Sequence, residues 1–179
     1  GLLLPTETAE EAARRHVQEK TGIDPTHLYF EQLYTFSAVD RDKRGRVVAV
    51  AYSALAPWNS LSESEREDSP SSWWTPVKNV RKLAYDHDEI LKTALSRLRS
   101  RVHYTTLISK LLPEEFTLTE LEKAYQAVLS TGLDKRNFRK KILKLGILKE
   151  LPKKRTGGRF RPAKLYRFIS KTIADIEVL

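Results

Sequence analysis

Apolar positions along this chain recur with a helical period in some stretches and as dense β-branched or aromatic runs in others. Over Thr8–Lys20, Ala9, Ala12, Ala13 and Val17 fall at helical spacing among charged neighbours, and Gly22 follows. The pattern predicts an amphipathic helix that starts near Pro5-Thr6-Glu7 and ends at a glycine cap. The runs LYFEQLYTFSAV (28–39) and RVVAVAYSALA (46–56) predict two strands, joined by the charged, glycine-bearing turn Asp40–Gly45. Asn59–Ser72 is polar and acidic and reads as a surface loop, with a short strand at Trp73-Trp74 after it. Asp86 and Glu89 mark a helix start, and Ile90, Leu91, Ala94, Leu95, Leu98 and Val102 then share one face of a long helix.

Beyond that helix the pattern changes. Tyr104–Leu112 is a short apolar segment closed by Pro113. Thr117 with Glu120 forms a capping box, opening a helix whose Leu121, Tyr125, Val128 and Leu129 face inward. Ser130–Leu133 is a turn; Asp134 caps a second helix, Lys135–Leu145, stopped at Gly146. Ile147–Leu151 reads as a strand, Pro152–Lys164 as a basic loop and Leu165–Ile169 as a returning strand. Helix, short turn, helix and hairpin is the order of a winged helix-turn-helix. The chain therefore divides into residues 1–102 and 103–179.

Charge reinforces this division. The 179 residues carry +9 overall, but residues 1–100 hold 14 Lys+Arg and 15 Asp+Glu whereas residues 101–179 hold 18 and 8. Residues 135–167 alone contain 14 Lys+Arg and one acid, Glu150. A basic module of this density suits a polyanion. Within the second helix, Phe138, Ile142 and Leu145 form the inward stripe, with Arg136 and Lys140 opposite it and Asn137, Arg139 and Lys144 flanking. Arg matches the O6 and N7 edge of guanine, Asn the edge of adenine, and Lys serves phosphates. Lys135, Arg136, Asn137, Arg139, Lys140 and Lys144 on the helix, with Lys153, Lys154, Arg155, Arg159 and Arg161 in the hairpin loop, are thus the expected contacts to double-stranded DNA. A charge run can also be a solvated face. RNA is disfavoured because no stacking aromatics are interleaved with the cations.

There is no cysteine, which removes disulfides, thiolate catalysis and Cys-containing zinc sites and is compatible with a reducing compartment. No apolar run approaches the roughly 18 residues of a membrane span, and Leu2-Leu3-Leu4 is too short for a signal peptide. The expected location is cytoplasmic, with no membrane partner. The absence of methionine and the opening at Gly1 read as a piece of a longer chain.

Gly1, Glu7, Arg15, Val17, Glu19, Gly22 and Ile23 stand at the spacings of the Nudix box, G-x5-E-x7-R-E-U-x-E-E-x-G-U with U aliphatic. That family uses the helix of the box to hold carboxylates around magnesium, which bridges a diphosphate. Here His16 and Lys20 stand where two of the three helix glutamates belong, and an imidazole and an ammonium are poor magnesium ligands. The box predicts the fold and argues against hydrolysis, so no catalytic or metal-binding residue is assigned. The whole chain resembles the NrtR family of Nudix-related transcriptional regulators. The similarity rests on the box, Asp40–Arg46, Trp73-Trp74, Leu83–His87, Leu133–Lys140 and Arg161–Phe168.

The resemblance implies an α+β protein: a Nudix-like α/β/α sandwich, its strands before the box glycine missing here, followed by the winged helix. It further implies a homodimeric repressor on a palindromic operator, controlling NAD or related cofactor and sugar genes. Its first domain would sense ADP-ribose or a related metabolite as effector, with no cofactor. Arg41, Asp42 and Arg44 are the expected effector contacts, since guanidinium groups suit a diphosphate; the same residues equally suit a solvated hairpin tip. Tyr85 and His87 stay ambiguous. Two alternatives remain at this point. One is an active Nudix hydrolase of nucleoside diphosphate derivatives with Glu7, Glu11 and Glu19 on a metal, and the other is an architectural protein with a vestigial first domain.

Overall fold

Three threonine or serine capping boxes and three Asp or Thr side-chain caps set where the chain turns into helix. The computed structural model describes residues 1–68, 72–156 and 162–176, which separate into two compact units, Gly1–Ser96 and Arg97–Leu179. In the first unit, helix α1 (Ala9–Thr21) is opened by Thr8, whose hydroxyl accepts from the Glu11 N–H while Glu11 accepts from the Thr8 N–H. It closes at Gly22, in the left-handed region at φ 74°, where a side chain would be strained. Strands β1 (Tyr29–Phe36) and β2 (Ala49–Leu55) pair antiparallel, Tyr29 opposite Leu55 and Phe36 opposite Ala49. The register shifts between Gln32 and Tyr34, and Leu33 at that shift is buried.

Both strands are shorter at the turn than the expected spans 28–39 and 46–56. The reason is local at the end of β1: the Arg46 side chain donates to the carbonyls of Ser37 (2.7 Å) and Ala38 (3.0 Å). Side chains take backbone groups that a longer ladder would need. The acidic segment folds a short helix α2 (Glu63–Arg66), capped by Ser62 and Glu65. The expected strand at Trp73-Trp74 does not form. The Trp74 N–H donates to Asp68 (2.8 Å), its indole N–H donates to the Glu65 carbonyl (2.9 Å), and its ring meets Trp58 edge-on at 5.0 Å.

Helix α3 (His87–Tyr104) spans the division between the units. In the second unit a 3₁₀ segment, Thr106–Leu111, leads to helix α4 (Leu118–Leu129), opened by the Thr117–Glu120 capping box, and helix α5 (Lys135–Lys144), capped by Asp134. Strands β3 (Leu148–Arg155) and β4 (Ala163–Phe168) form the antiparallel wing, and Phe116 bridges to Tyr166 beside it. Val102, Ile108, Phe116, Leu121, Tyr125 and Ile142 are fully enclosed in the core that joins these elements. The expected loop 152–164 is partly strand. Pro152 cannot donate to the ladder, but the register shift between Glu150 and Lys154 absorbs it, so β3 runs on to Arg155. Lys153, Lys154 and Arg155 therefore stand on β3 rather than in a loop.

Candidate DNA interface and ligand site

Helix α5 is positioned by its apolar stripe. Phe138 and Ile142 are buried, Phe138 edge-on to Tyr125 at 5.2 Å between ring centres. At 100° per residue this turns Arg136, Lys140, Lys144 and Asn137 to the opposite side as one contiguous stripe, and all four are exposed. Among the described residues the three cations of the stripe form no ion pair with a carboxylate. Lys141, which the sequence reading passed over, is exposed on the same helix.

Lys135 and Arg139 sit differently. The buried Glu122 of α4 lies 3.4 Å from the Arg139 Nη2 and 3.8 Å from the Lys135 Nζ, and Arg139 also donates to the Thr119 hydroxyl at 2.9 Å. These two cations tie α5 to α4. On the wing, Lys153 pairs with Glu115 at 2.7 Å, Arg155 pairs with the Glu120 carboxylate and donates to the Glu115 carbonyl at 3.1 Å, and Lys164 pairs with Glu150 at 2.7 Å. Lys154 is exposed, with no ion pair among the described residues. Arg159 and Arg161 lie outside the described residues. Counting charge over residues 135–167 missed Glu115, Glu120 and Glu122, which come from α4 and the segment before it. The capping box was the available signal for Glu120.

In the first unit, Arg15 takes up the carboxylates of the Nudix box. Its guanidinium donates to Glu7 at 2.9 and 2.5 Å, to Glu19 at 3.3 and 3.1 Å, and to the Leu2 carbonyl at 3.1 Å. The hydrogen bond from Arg15 holds the Glu7 carboxyl at about 2. His16 lies 3.0 Å from the Leu2 carbonyl and 3.3 Å from Glu19, and Glu11 is occupied by the capping box. Among the described residues no group of three or more acidic or imidazole side chains converges on one point where a metal could sit. This set does not fit the magnesium ion that a Nudix box ordinarily holds.

The three expected effector residues do come together, at the connection between β1 and β2. Arg41 is half-buried, its side chain 8% exposed, and forms a bidentate pair with Asp86, at 2.8 and 2.9 Å. Asp42 is buried and accepts from Arg44 at 2.8 Å, which holds the Asp42 carboxyl at about 2. The exposed Arg44 guanidinium lies 5.0 Å from the ring centre of Tyr85. Tyr85 itself adopts φ 55°, a conformation uncommon for a bulky residue. Asp86 and Tyr85 are thus part of this cluster.

Glu65 is a third carboxyl held at about 2, by the N–H groups of Ser62 (2.7 Å) and Asp24 (2.9 Å). Its folded value lies below the usual 4.5, so its stabilisation is complete above pH 4.5 and is lost as pH falls towards 2. Trp58, Trp73 and Trp74 are the three tryptophans of the chain and all belong to the first unit. Indole fluorescence during acid titration should therefore report this loss in the first unit alone. Glu65→Gln should flatten the pH dependence of unfolding in that window; an unchanged slope would show that Glu65 is not its source.

The comparisons with known proteins follow the same division. The NUDIX domain family model matches residues 1–95, and the NrtR DNA-binding winged helix domain model matches residues 108–168. The chain is 37% identical over 157 residues to the ADPR responsive transcriptional repressor NtrR of Acinetobacter baylyi, covering 87% of this chain and 62% of that protein. It is 33% identical over 92 residues to the ADP-ribose pyrophosphatase of Methanocaldococcus jannaschii, covering 51% of this chain and 52% of that protein. The chain thus spans less than two thirds of the length of either curated relative. Among solved structures it matches Shewanella oneidensis NrtR complexed with a 27mer DNA, with a TM-score of 0.78 and 31% identity, over 94% of this chain and 77% of that one. With a Nudix domain over more than half its length and an NrtR-type winged helix after it, the chain belongs to the NrtR family of Nudix proteins.

Proposed function

We propose that this protein is a ligand-responsive transcriptional repressor that binds a palindromic DNA operator as a homodimer and releases it on binding ADP-ribose or a related nucleoside diphosphate sugar. The observation that carries the reading is the stripe Arg136, Asn137, Lys140 and Lys144, exposed on the face of α5 opposite its buried residues. A helix in a major groove needs this arrangement: a donor fork for guanine, an amide for adenine and point charges for phosphates. The relative from Acinetobacter, a repressor responsive to ADP-ribose by its name, supports the same reading. Arg41, Asp42 and Arg44 with Tyr85 are the proposed ligand site: a diphosphate would draw the exposed Arg44 away from Asp42 and the Tyr85 ring would stack, while Arg41, held by Asp86, positions the connection.

The first domain acts as a sensor without turnover. His16 and Lys20 replace carboxylates of the box, and Arg15 engages Glu7 and Glu19. Similarity to an ADP-ribose pyrophosphatase favours the second reading, hydrolysis of the ligand. A labelled duplex enriched from a random pool by the protein itself tests the sensing role. Added ADP-ribose should lower the anisotropy of the labelled complex to that of free duplex, and Arg41→Ala should require more ligand for the same release. Binding that ignores ADP-ribose at every concentration would remove the sensing role.

A further inference from the structure

The wing carries cations whose charge is already matched within the protein. Lys153 Nζ lies 2.7 Å from Glu115, and Arg155 is held between the Glu120 carboxylate and the Glu115 carbonyl. Glu120 is itself fixed, accepting from the Thr117 N–H at 2.7 Å and the Thr117 hydroxyl at 3.0 Å in the capping box of α4. A phosphate that approaches either cation meets a carboxylate within a few ångströms, so the pair offers no net charge to an arbitrary duplex. Lys154, between them on β3, forms no ion pair with a carboxylate among the described residues.

We propose that Glu115 and Glu120 are specificity-determining residues of the DNA interface: by retaining Lys153 and Arg155 in internal ion pairs, they withhold the wing from phosphates of any sequence and leave recognition to α5. This rests on the DNA-binding reading above. Non-specific affinity is set by the number of phosphates neutralised, whereas base contacts discriminate among sequences. Removing two cations from the non-specific sum raises the ratio of specific to non-specific binding without touching a base-reading side chain.

The test is Glu115→Gln/Glu120→Gln in the full chain. Gln at position 120 keeps the capping-box acceptor while losing the charge, so α4 stays capped. Glu114→Gln is the control, since exposed Glu114 removes one charge next to the site without an ion pair to release among the described residues. Affinities for the enriched duplex and for a scrambled duplex of equal length are measured from 50 to 200 mM salt. With about 0.9 units of log–log slope per phosphate, two released cations should steepen the scrambled-duplex slope by about 1.8. The ratio of affinities at 50 and 200 mM then grows about 12-fold. The preference for the enriched duplex should fall, and Glu114→Gln should leave slope and preference at wild-type values. Unchanged slopes in the double variant, or an equal change in the control, would overturn the proposal while leaving DNA binding intact. A wild-type protein that binds neither duplex would remove the DNA-binding reading and the proposal with it.

Discussion

Arg136→Ala is expected to weaken binding to the enriched duplex by about 5- to 150-fold, the equivalent of about 1–3 kcal/mol for one bidentate guanine contact. Scrambled duplex should be affected far less, and base preference should relax at a single position of each half-site. Lys140→Ala and Lys144→Ala should behave differently, lowering affinity for both duplexes alike and reducing the salt slope by about 0.9 each. None of the three should shift the melting temperature appreciably, because these side chains are exposed and without internal ion pairs among the described residues. Arg139 does not belong with Arg136, although both lie on α5. Its guanidinium is engaged by Glu122 and Thr119, so its substitution should loosen the joint between α4 and α5. Equal effects of Arg136→Ala on enriched and scrambled duplexes would mean that α5 does not read bases.

Phe138→Ala on the other face of the same helix should act through the fold. The ring is 5% exposed and packs edge-on against the fully buried Tyr125. Its truncation leaves a cavity in the core shared by α4, α5 and the wing, at a cost of about 3–5 kcal/mol. That is a large share of the stability of a domain of this size, so thermal unfolding of the second unit should move far down in temperature. DNA binding should fall on every sequence together with the folded fraction, while the tryptophan fluorescence of the first unit stays native. A Phe138→Ala protein with native melting would show that α5 is not anchored through this ring.

The second unit was legible because several local signals agree with its periodicity. Thr117 with Glu120 opens α4, Asp134 opens α5, Gly146 takes the positive φ after it, and Phe138 and Ile142 fall on the stripe that becomes buried. Where sequence and structure part, a side chain has intercepted a backbone group or a partner has come from another element. Arg46 shortens the end of β1, Asp68 takes the N–H of Trp74, and a register shift carries β3 past Pro152. The stretch 135–167 looked uniformly cationic, yet Glu115, Glu120 and Glu122 engage four of its cations from outside that window. Residue counts along a chain cannot find such pairs, since they depend on how α4 lies against α5 and the wing. The same holds for Arg41, whose partner Asp86 is 45 positions away.

These pairings change the expected division of labour. Of the eleven basic and amide residues first read as DNA contacts, Arg136, Asn137, Lys140 and Lys144 form the exposed stripe, and Lys154 stands apart on the wing. Lys135 and Arg139 hold the helix in place, and Lys153 and Arg155 hold the wing to the start of α4. In the first unit, Arg15 gathers Glu7 and Glu19 as Arg41 gathers Asp86, so guanidinium groups organise both the helix of the first unit and the proposed ligand cluster.

The most direct test follows one sample through binding and chemistry together. Protein bound to the labelled, enriched duplex is mixed with ADP-ribose and excess magnesium; anisotropy records the duplex while phosphorus NMR records the ligand. Release of the duplex with the ADP-ribose diphosphate intact throughout is the expected result. Conversion of ADP-ribose to phosphate monoesters would contradict it, as would a duplex that stays bound at saturating ligand.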